Sequence, residues 1–287
     1  MIQNVPAMPS VENTKEFIRA RLRYPNWKLI HTPDINASWK KVKRDDLLLQ
    51  VEARNPHWAR LNESDKVSIL SQISEIQDIL EKSDNCHELN IYNEGTLSIY
   101  LRHGATTKVL YDKSDIDLAL IKKFELYGYE EDIINWQSIS GYPRSWHVGH
   151  IDVGRIISGT GTGIVQNMID LYRSVCLFGQ DLFPIGERPT ALALLCFAND
   201  LFKDAEEHLY NKMKFPAAPF QIFKAGLRID QAIDFLRLLI PNLETKELSA
   251  LAALCLQQST CAPFSQGEFE RVTLQTIWNV YHILHLS

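Results

Sequence analysis

Residues 101–121, LRHGATTKVLYDKSDIDLALI, place Asp115 and Asp117 inside an apolar run that otherwise reads as a buried strand. Alternate residues of a strand face the same way, so the two carboxylates project together while Ile116 and Leu118 turn to the core. Side-by-side carboxylates repel, and taking them out of water without partners is costly. A divalent cation between them removes both penalties, and ligation by carboxylate, water and phosphate oxygens is the habit of Mg²⁺. A third acid, Asp152 in HIDVG, is also flanked by apolar residues on an expected strand. If that strand neighbours the first, three carboxylates converge. They can then hold two cations that clamp the attacking and leaving oxygens of a phosphoryl transfer.

The elements that must position these acids are readable from periodicity. Residues 1–60 read as mixed, with a short helix expected over 11–23 and loops marked by YPNW, TPDINAS and RNPHW. From Asn62, which can cap it, a helix carries Ile69, Leu70, Ile73, Ile76 and Leu80 as one apolar stripe. Strand patterns follow in ELNIYNEG, in TLSIYLRHG with Leu97, Ile99 and Leu101 on one side, in DIDLALIKKF and in HVGHIDVGRII. Beyond Gly163 every segment reads as helix, from IVQNMIDLYRSVCLF to EFERVTLQTIWNVYHILHL, punctuated by FPIGERP, FPAAP and APFSQG. The expected fold class is α+β: a mixed sheet with flanking helices over residues 1–160, then an all-helical bundle over 161–287.

The order HGA, nine residues, DID, then a later strand with one acid resembles the nucleotidyltransferase superfamily, the DNA polymerase β-like fold. The resemblance covers 97–121 and 149–155 and implies a set of roles. Gly104 and Ala105, with His103 and Thr106 beside them, would approach the triphosphate of ATP or another nucleoside triphosphate. Backbone N–H groups at a helix start suit that task. Asp115 and Asp117 would ligate Mg²⁺, and Asp152 would complete the metal site and activate the acceptor hydroxyl. Ala105 stands where the family usually has Ser or Gly, so Thr106 or Thr107 would supply any hydroxyl to the phosphates. LYRSVCLFGQDLFP resembles the first helix and following turn of the helical domain in aminoglycoside nucleotidyltransferases. That family binds its acceptor between the two domains, so the implied acceptor is a small hydroxylated molecule, with a protein or RNA hydroxyl as alternatives. A nucleotide-binding protein that kept the fold without turnover is the reading from another class.

Other constellations are less specific. His103, His147, His150 and Asp152 contain transition-metal ligand types, but three-residue spacing puts His147 and His150 on opposite strand faces. That leaves His150 and Asp152 together, lining the nucleotide pocket. SGTGTGIVQNMI has the wrong glycine spacing for a dinucleotide fingerprint and reads as an interdomain loop. Lys203, Lys212, Lys214 and Lys224 read as surface residues of the bundle.

The 45% hydrophobic and 23% charged fractions of this 287-residue chain are those of a globular protein, and no apolar run is long enough for a membrane helix. Five scattered cysteines without a CxxC pair read as structural thiols. With no leader-like N-terminus, a cytoplasmic location is expected. Net charge of −5 argues against a chain wrapped in nucleic acid, and the acidic remainder beyond residue 60 suits a cationic substrate. Residues 1–60 run the other way, with eleven Lys/Arg against six Asp/Glu, and offer either a solvated face or a surface for phosphates.

Overall fold

The computed structural model describes residues 5–22, 34, 36, 40–55, 58–82, 95–102, 116–123, 131–134, 146–158, 171–183, 190–211, 219–257 and 264–286. The chain divides into two compact units, Lys28–Arg188 and the pair of segments Met1–Trp27 and Pro189–Ser287. Helix α1 (Val11–Arg21) therefore belongs with the C-terminal segment.

The first described helix of the Lys28–Arg188 unit is α2 (Arg44–Arg54), in a stretch the sequence reading left unassigned. Asp45 and Asp46 favour its first turn, and Leu47, Gln50, Val51 and Arg54 form its buried stripe. After a short 3₁₀ turn (Trp58–Arg60) comes α3 (Glu63–Lys82), capped as expected by Asn62, whose Oδ1 accepts from Asp65 N at 2.8 Å. Of the expected stripe, Ile69, Ile73, Ile76 and Leu80 are buried. Strands β1 (Thr96–Leu101), β2 (Ile116–Lys122), β3 (Glu131–Ile134) and β4 (Trp146–Asp152) follow, then the short α4 (Val153–Ser158) and β5 (Val175–Gly179).

The five strands form one mixed sheet in the order β3-β4-β2-β1-β5, in which β2 and β4 are parallel and the other pairs antiparallel. Ile99, Leu101, Leu118, Leu120, Val148 and Val175 line one face and form a single core with Leu47 and Val51 of α2 and Ile69, Ile73 and Ile76 of α3. Burial of each such side chain stabilises the fold by about 1.5–3 kcal/mol before chain entropy is counted.

Two expectations are corrected here. VCLF was read as part of a helix, but it is β5, hydrogen-bonded to β1. A short apolar run buried on both faces has no period to separate strand from helix. The sheet unit accordingly extends past residue 160 to Arg188, and residues 1–27 leave it. The strand expected through HVGHIDVGRII ends at Asp152, and VGRIIS turns into α4.

The outer edge of β5 is covered by the chain before α2. Val42 N donates to Leu177 O at 3.0 Å and Gly179 N to Lys40 O at 2.8 Å, which leaves that edge no open ladder. Gly179 has φ +84°, and a Cβ there would lie 2.0 Å from Leu97 O, so only glycine fits this end of the strand.

In the other unit, α5 (Ala191–Glu206) runs into a π turn (Glu207–Asn211), followed by α6 (Pro219–Leu239), α7 (Lys246–Leu256) and α8 (Gln266–Ile283). Helix α1 joins α8 through the Lys15–Glu270 ion pair at 2.5 Å and through Phe17 against Trp278, Tyr281 and His282. Burial lowers the His282 imidazole below its usual range, with a smaller effect of His285, so the packed ring is held neutral. The α+β class with a C-terminal helical part is thus what the chain adopts.

Helices α6 and α7 approach closely at Gly226, where an added Cβ would stand 2.8 Å from Cys255 Cβ and 2.9 Å from Leu256 N. We predict that Gly226→Ala lowers stability by about 1–3 kcal/mol through overpacking, read as a lower urea midpoint. An unchanged midpoint would show that the two helices separate without cost.

Cys176, Cys196 and Cys255 are buried and free. Desolvation pushes their thiols up, Cys196 to about 12 and Cys255 to about 11, which keeps them protonated and inert as structural thiols. Cys86 and Cys261 lie outside the described residues. Among the described residues no helix is long and apolar enough to cross a membrane.

Candidate active site

Asp117 interrupts the burial of β2. Every other residue of that strand is buried, while its own side chain is 35% exposed. The strand is held by β1, antiparallel to it with Leu101 opposite Leu118. One step beyond β1, Arg102 N donates to Asp117 O at 2.8 Å. Arg102, the last described residue before His103, is therefore held at the backbone of Asp117. Asp115, His103, Gly104, Ala105 and Thr106 lie outside the described residues.

On the other side β4 runs parallel to β2, and His147 is the residue opposite Asp117. Paired residues of neighbouring strands share a face. His147 Nδ1 stands 4.0 Å from Asp117 Oδ1, with the imidazole 32% exposed. Both groups have further interactions, so this pair is one part of a larger polar arrangement.

Asp152 does not join them. It lies opposite Lys122, five residues further along β2 than Asp117. Five steps at about 3.3 Å each are about 16 Å of strand, and an odd number of steps reverses the face. Its carboxylate is buried and serves locally: Oδ1 accepts from Arg155 N at 3.1 Å, the bond of an N-cap to the third helical residue. Gly154 leaves room for this fold-back, since a Cβ there would meet Asp152 Oδ1 at 2.9 Å. The expectation that Asp152 completes a metal site with Asp115 and Asp117 is therefore corrected. An aspartate ending a strand before a helix start is a cap, and the helical Val153–Ser158 segment supplied that signal.

His150 is corrected for the same reason. It is opposite Leu120, buried, and turned to the core face, so it lines no pocket shared with Asp117. In this register Asp152 is not a co-ligand of Asp117. Among the described residues, no three His, Cys, Asp or Glu side chains gather as a metal site. The imidazole facing Asp117 was the residue least visible beforehand, because its level on the sheet depends on strand register alone.

Two of the basic residues of the N-terminal stretch, Arg54 and Lys41, are committed elsewhere. Arg54 is buried and donates to Asp181, to Ser174 O at 2.8 Å and to Phe183 O at 3.2 Å. Tyr100 Oη donates to the same carboxylate at 3.0 Å and accepts from Leu182 N at 2.6 Å. Burial, reinforced by the Asp181 charge, pushes the Tyr100 phenol well up, so it stays a neutral donor. Lys41 pairs with Asp78 at 2.7 Å and Glu81 at 2.6 Å beside a cleft of about 330 Å³ that Lys43 and Arg44 also line. In the bundle unit Lys203 pairs with Asp200 at 3.2 Å and Lys224 lies over the Phe220 ring, as surface lysines do.

No family model matches this chain, and no curated protein matches it. Among solved structures it is similar to the crystal structure of a nucleotidyltransferase-like protein from Exiguobacterium sibiricum. The two are 9% identical over 71% of this chain and 74% of that one, with a TM-score of 0.24, a likeness too slight to carry an argument.

Proposed function

We propose that this chain is a nucleotidyltransferase. The acceptor hydroxyl oxygen bonds to the α-phosphorus of a nucleoside triphosphate, ATP in the first instance. The bond from that phosphorus to the bridging oxygen breaks, pyrophosphate leaves, and the hydroxyl proton passes to water. The observation that supports this reading is the hydrogen bond from Arg102 N to Asp117 O. Arg102 is the residue before the HGAT phrase, and its bond holds the end of β1 level with a one-third-exposed carboxylate on an otherwise buried strand, which suits a phosphate-binding phrase followed by a cation-binding acid.

In this reading Asp117, with Asp115 on the same strand phrase, holds a divalent cation, Mg²⁺ if carboxylates alone ligate it. The cation, when bound, neutralises charge on the triphosphate. Backbone groups of His103, Gly104, Ala105 and Thr106 orient the phosphates. A small cationic hydroxyl compound of the aminoglycoside kind is the favoured acceptor, because it suits the acidic balance of the chain beyond residue 60; protein and RNA hydroxyls follow.

The test is pyrophosphate release from each of the four ribonucleoside triphosphates with Mg²⁺ or Mn²⁺, across aminoglycoside, protein and RNA acceptors. Release that requires both an acceptor and a cation is expected. The second reading, a nucleotide-binding protein without turnover, is favoured by the absence of Asp152 from the site. Thermal stabilisation by a triphosphate without release under any acceptor would establish it in place of the first. Neither stabilisation nor release would remove both.

A further inference from the structure

The donor facing Asp117 is an imidazole, and this changes which cation the strands are built to take. We propose that Asp117 and His147 form a mixed carboxylate–imidazole site that selects a nitrogen-accepting divalent ion such as Mn²⁺ or Co²⁺ over Mg²⁺. The inference rests on the cation-binding role given to Asp117 above and adds His147 as a ligand.

Three observations carry it. Parallel register sets the two residues level on adjacent strands and on one face, so rigid backbone fixes their spacing. Nδ1 of His147, not the far side of the ring, is turned to Asp117 Oδ1 at 4.0 Å. Both side chains are about one-third exposed, which leaves a path for an ion and its remaining waters. Two donors each about 2.1 Å from a shared ion stand about 3.0–3.4 Å apart, so less than about 1 Å of side-chain movement closes the pair.

Donor chemistry then decides the ion. Mg²⁺ takes oxygen donors and retains its water, while imidazole suits later first-row ions, whose affinities rise from Mn²⁺ through Co²⁺. A plain His–Asp ion pair is the competing account of the same geometry.

Pulsed electron paramagnetic resonance of Mn²⁺ bound to the full chain separates the two. Inorganic tripolyphosphate is added in a parallel sample, because it supplies phosphate oxygens and no nitrogen. A nitrogen hyperfine coupling is expected, lost in His147→Ala. The same variant should weaken Mn²⁺ binding at least tenfold and Mg²⁺ binding less than threefold, with its thermal midpoint kept. Mn²⁺ bound without nitrogen coupling, or equal changes for both ions in His147→Ala, overturns this proposal and leaves the cation role of Asp117 standing. No binding of either ion, with or without tripolyphosphate, overturns that role as well.

Discussion

Asp117→Ala is expected to lower nucleotide transfer by about 10²–10³-fold or more, the scale on which a single electrostatic stabiliser of a transition state acts. The fold should survive, because the side chain is 35% exposed and the backbone bond from Arg102 uses the Asp117 carbonyl, not its carboxylate. Surface changes of this kind alter stability by roughly 0.5 kcal/mol at most. Asp152→Ala is the informative partner experiment. It removes the Arg155 cap, which costs about 0.5–2 kcal/mol, and should leave transfer within a few-fold of the parent. The assay is initial pyrophosphate release at matched folded protein, with urea midpoints measured alongside. If Asp152→Ala lost activity as completely as Asp117→Ala at unchanged stability, the sheet register would have misled us and the three-acid site would return.

Arg54→Met should be among the most damaging single changes in the sheet unit. The guanidinium is buried and joins α2 to Asp181 and to the carbonyls of Ser174 and Phe183, on either side of β5. Without it the Asp181 carboxylate keeps, among the described residues, the neutral partners Tyr100 Oη and Phe183 N. Breaking a buried pair from one side costs about 3–5 kcal/mol, because a desolvated charge is left behind. Total stabilities of about 5–15 kcal/mol make that a large share. Arg54→Met/Asp181→Leu should recover part of the loss, since removing both charges removes the desolvation problem. Recovery stays incomplete because the two carbonyls lose the Arg54 donor and the Tyr100 hydroxyl loses the acceptor of its proton. Urea denaturation of the four corners of this cycle measures it. A single-variant loss below about 1 kcal/mol would mean that the pair is effectively solvated.

What the chain revealed before folding was whatever repeats over a few residues. Asn62 and the Ile69–Ile73–Ile76–Leu80 stripe declared α3, because a cap and a 3.6-residue period are local. The phrase DIDLALI declared β2 and the exposed aspartate within it for the same reason. VCLF had no period to read, so its assignment waited on whether β1 offered it a ladder. RDDLLLQVEAR carried a buried stripe, but so short a helix becomes stable only once Leu47 and Val51 find the sheet.

The site shows the division most sharply. That the chain leaving β1 passes beside Asp117 followed from residue order, since β1 and β2 pair directly and Arg102 N donates to Asp117 O. Which residue of SWHVGHID stands beside Asp117 did not follow, because β2 and β4 are parallel strands joined through a long crossover. A shift of one position in such a pair exchanges faces, and a shift of five moves a side chain the length of the strand. Register is chosen by the packing of Val148 against Leu118 and Leu120 under α2 and α3, an interaction distributed over the whole core. Residue types and local periods were written in the sequence; the choice of His147 over Asp152 as the neighbour of Asp117 was made by that core.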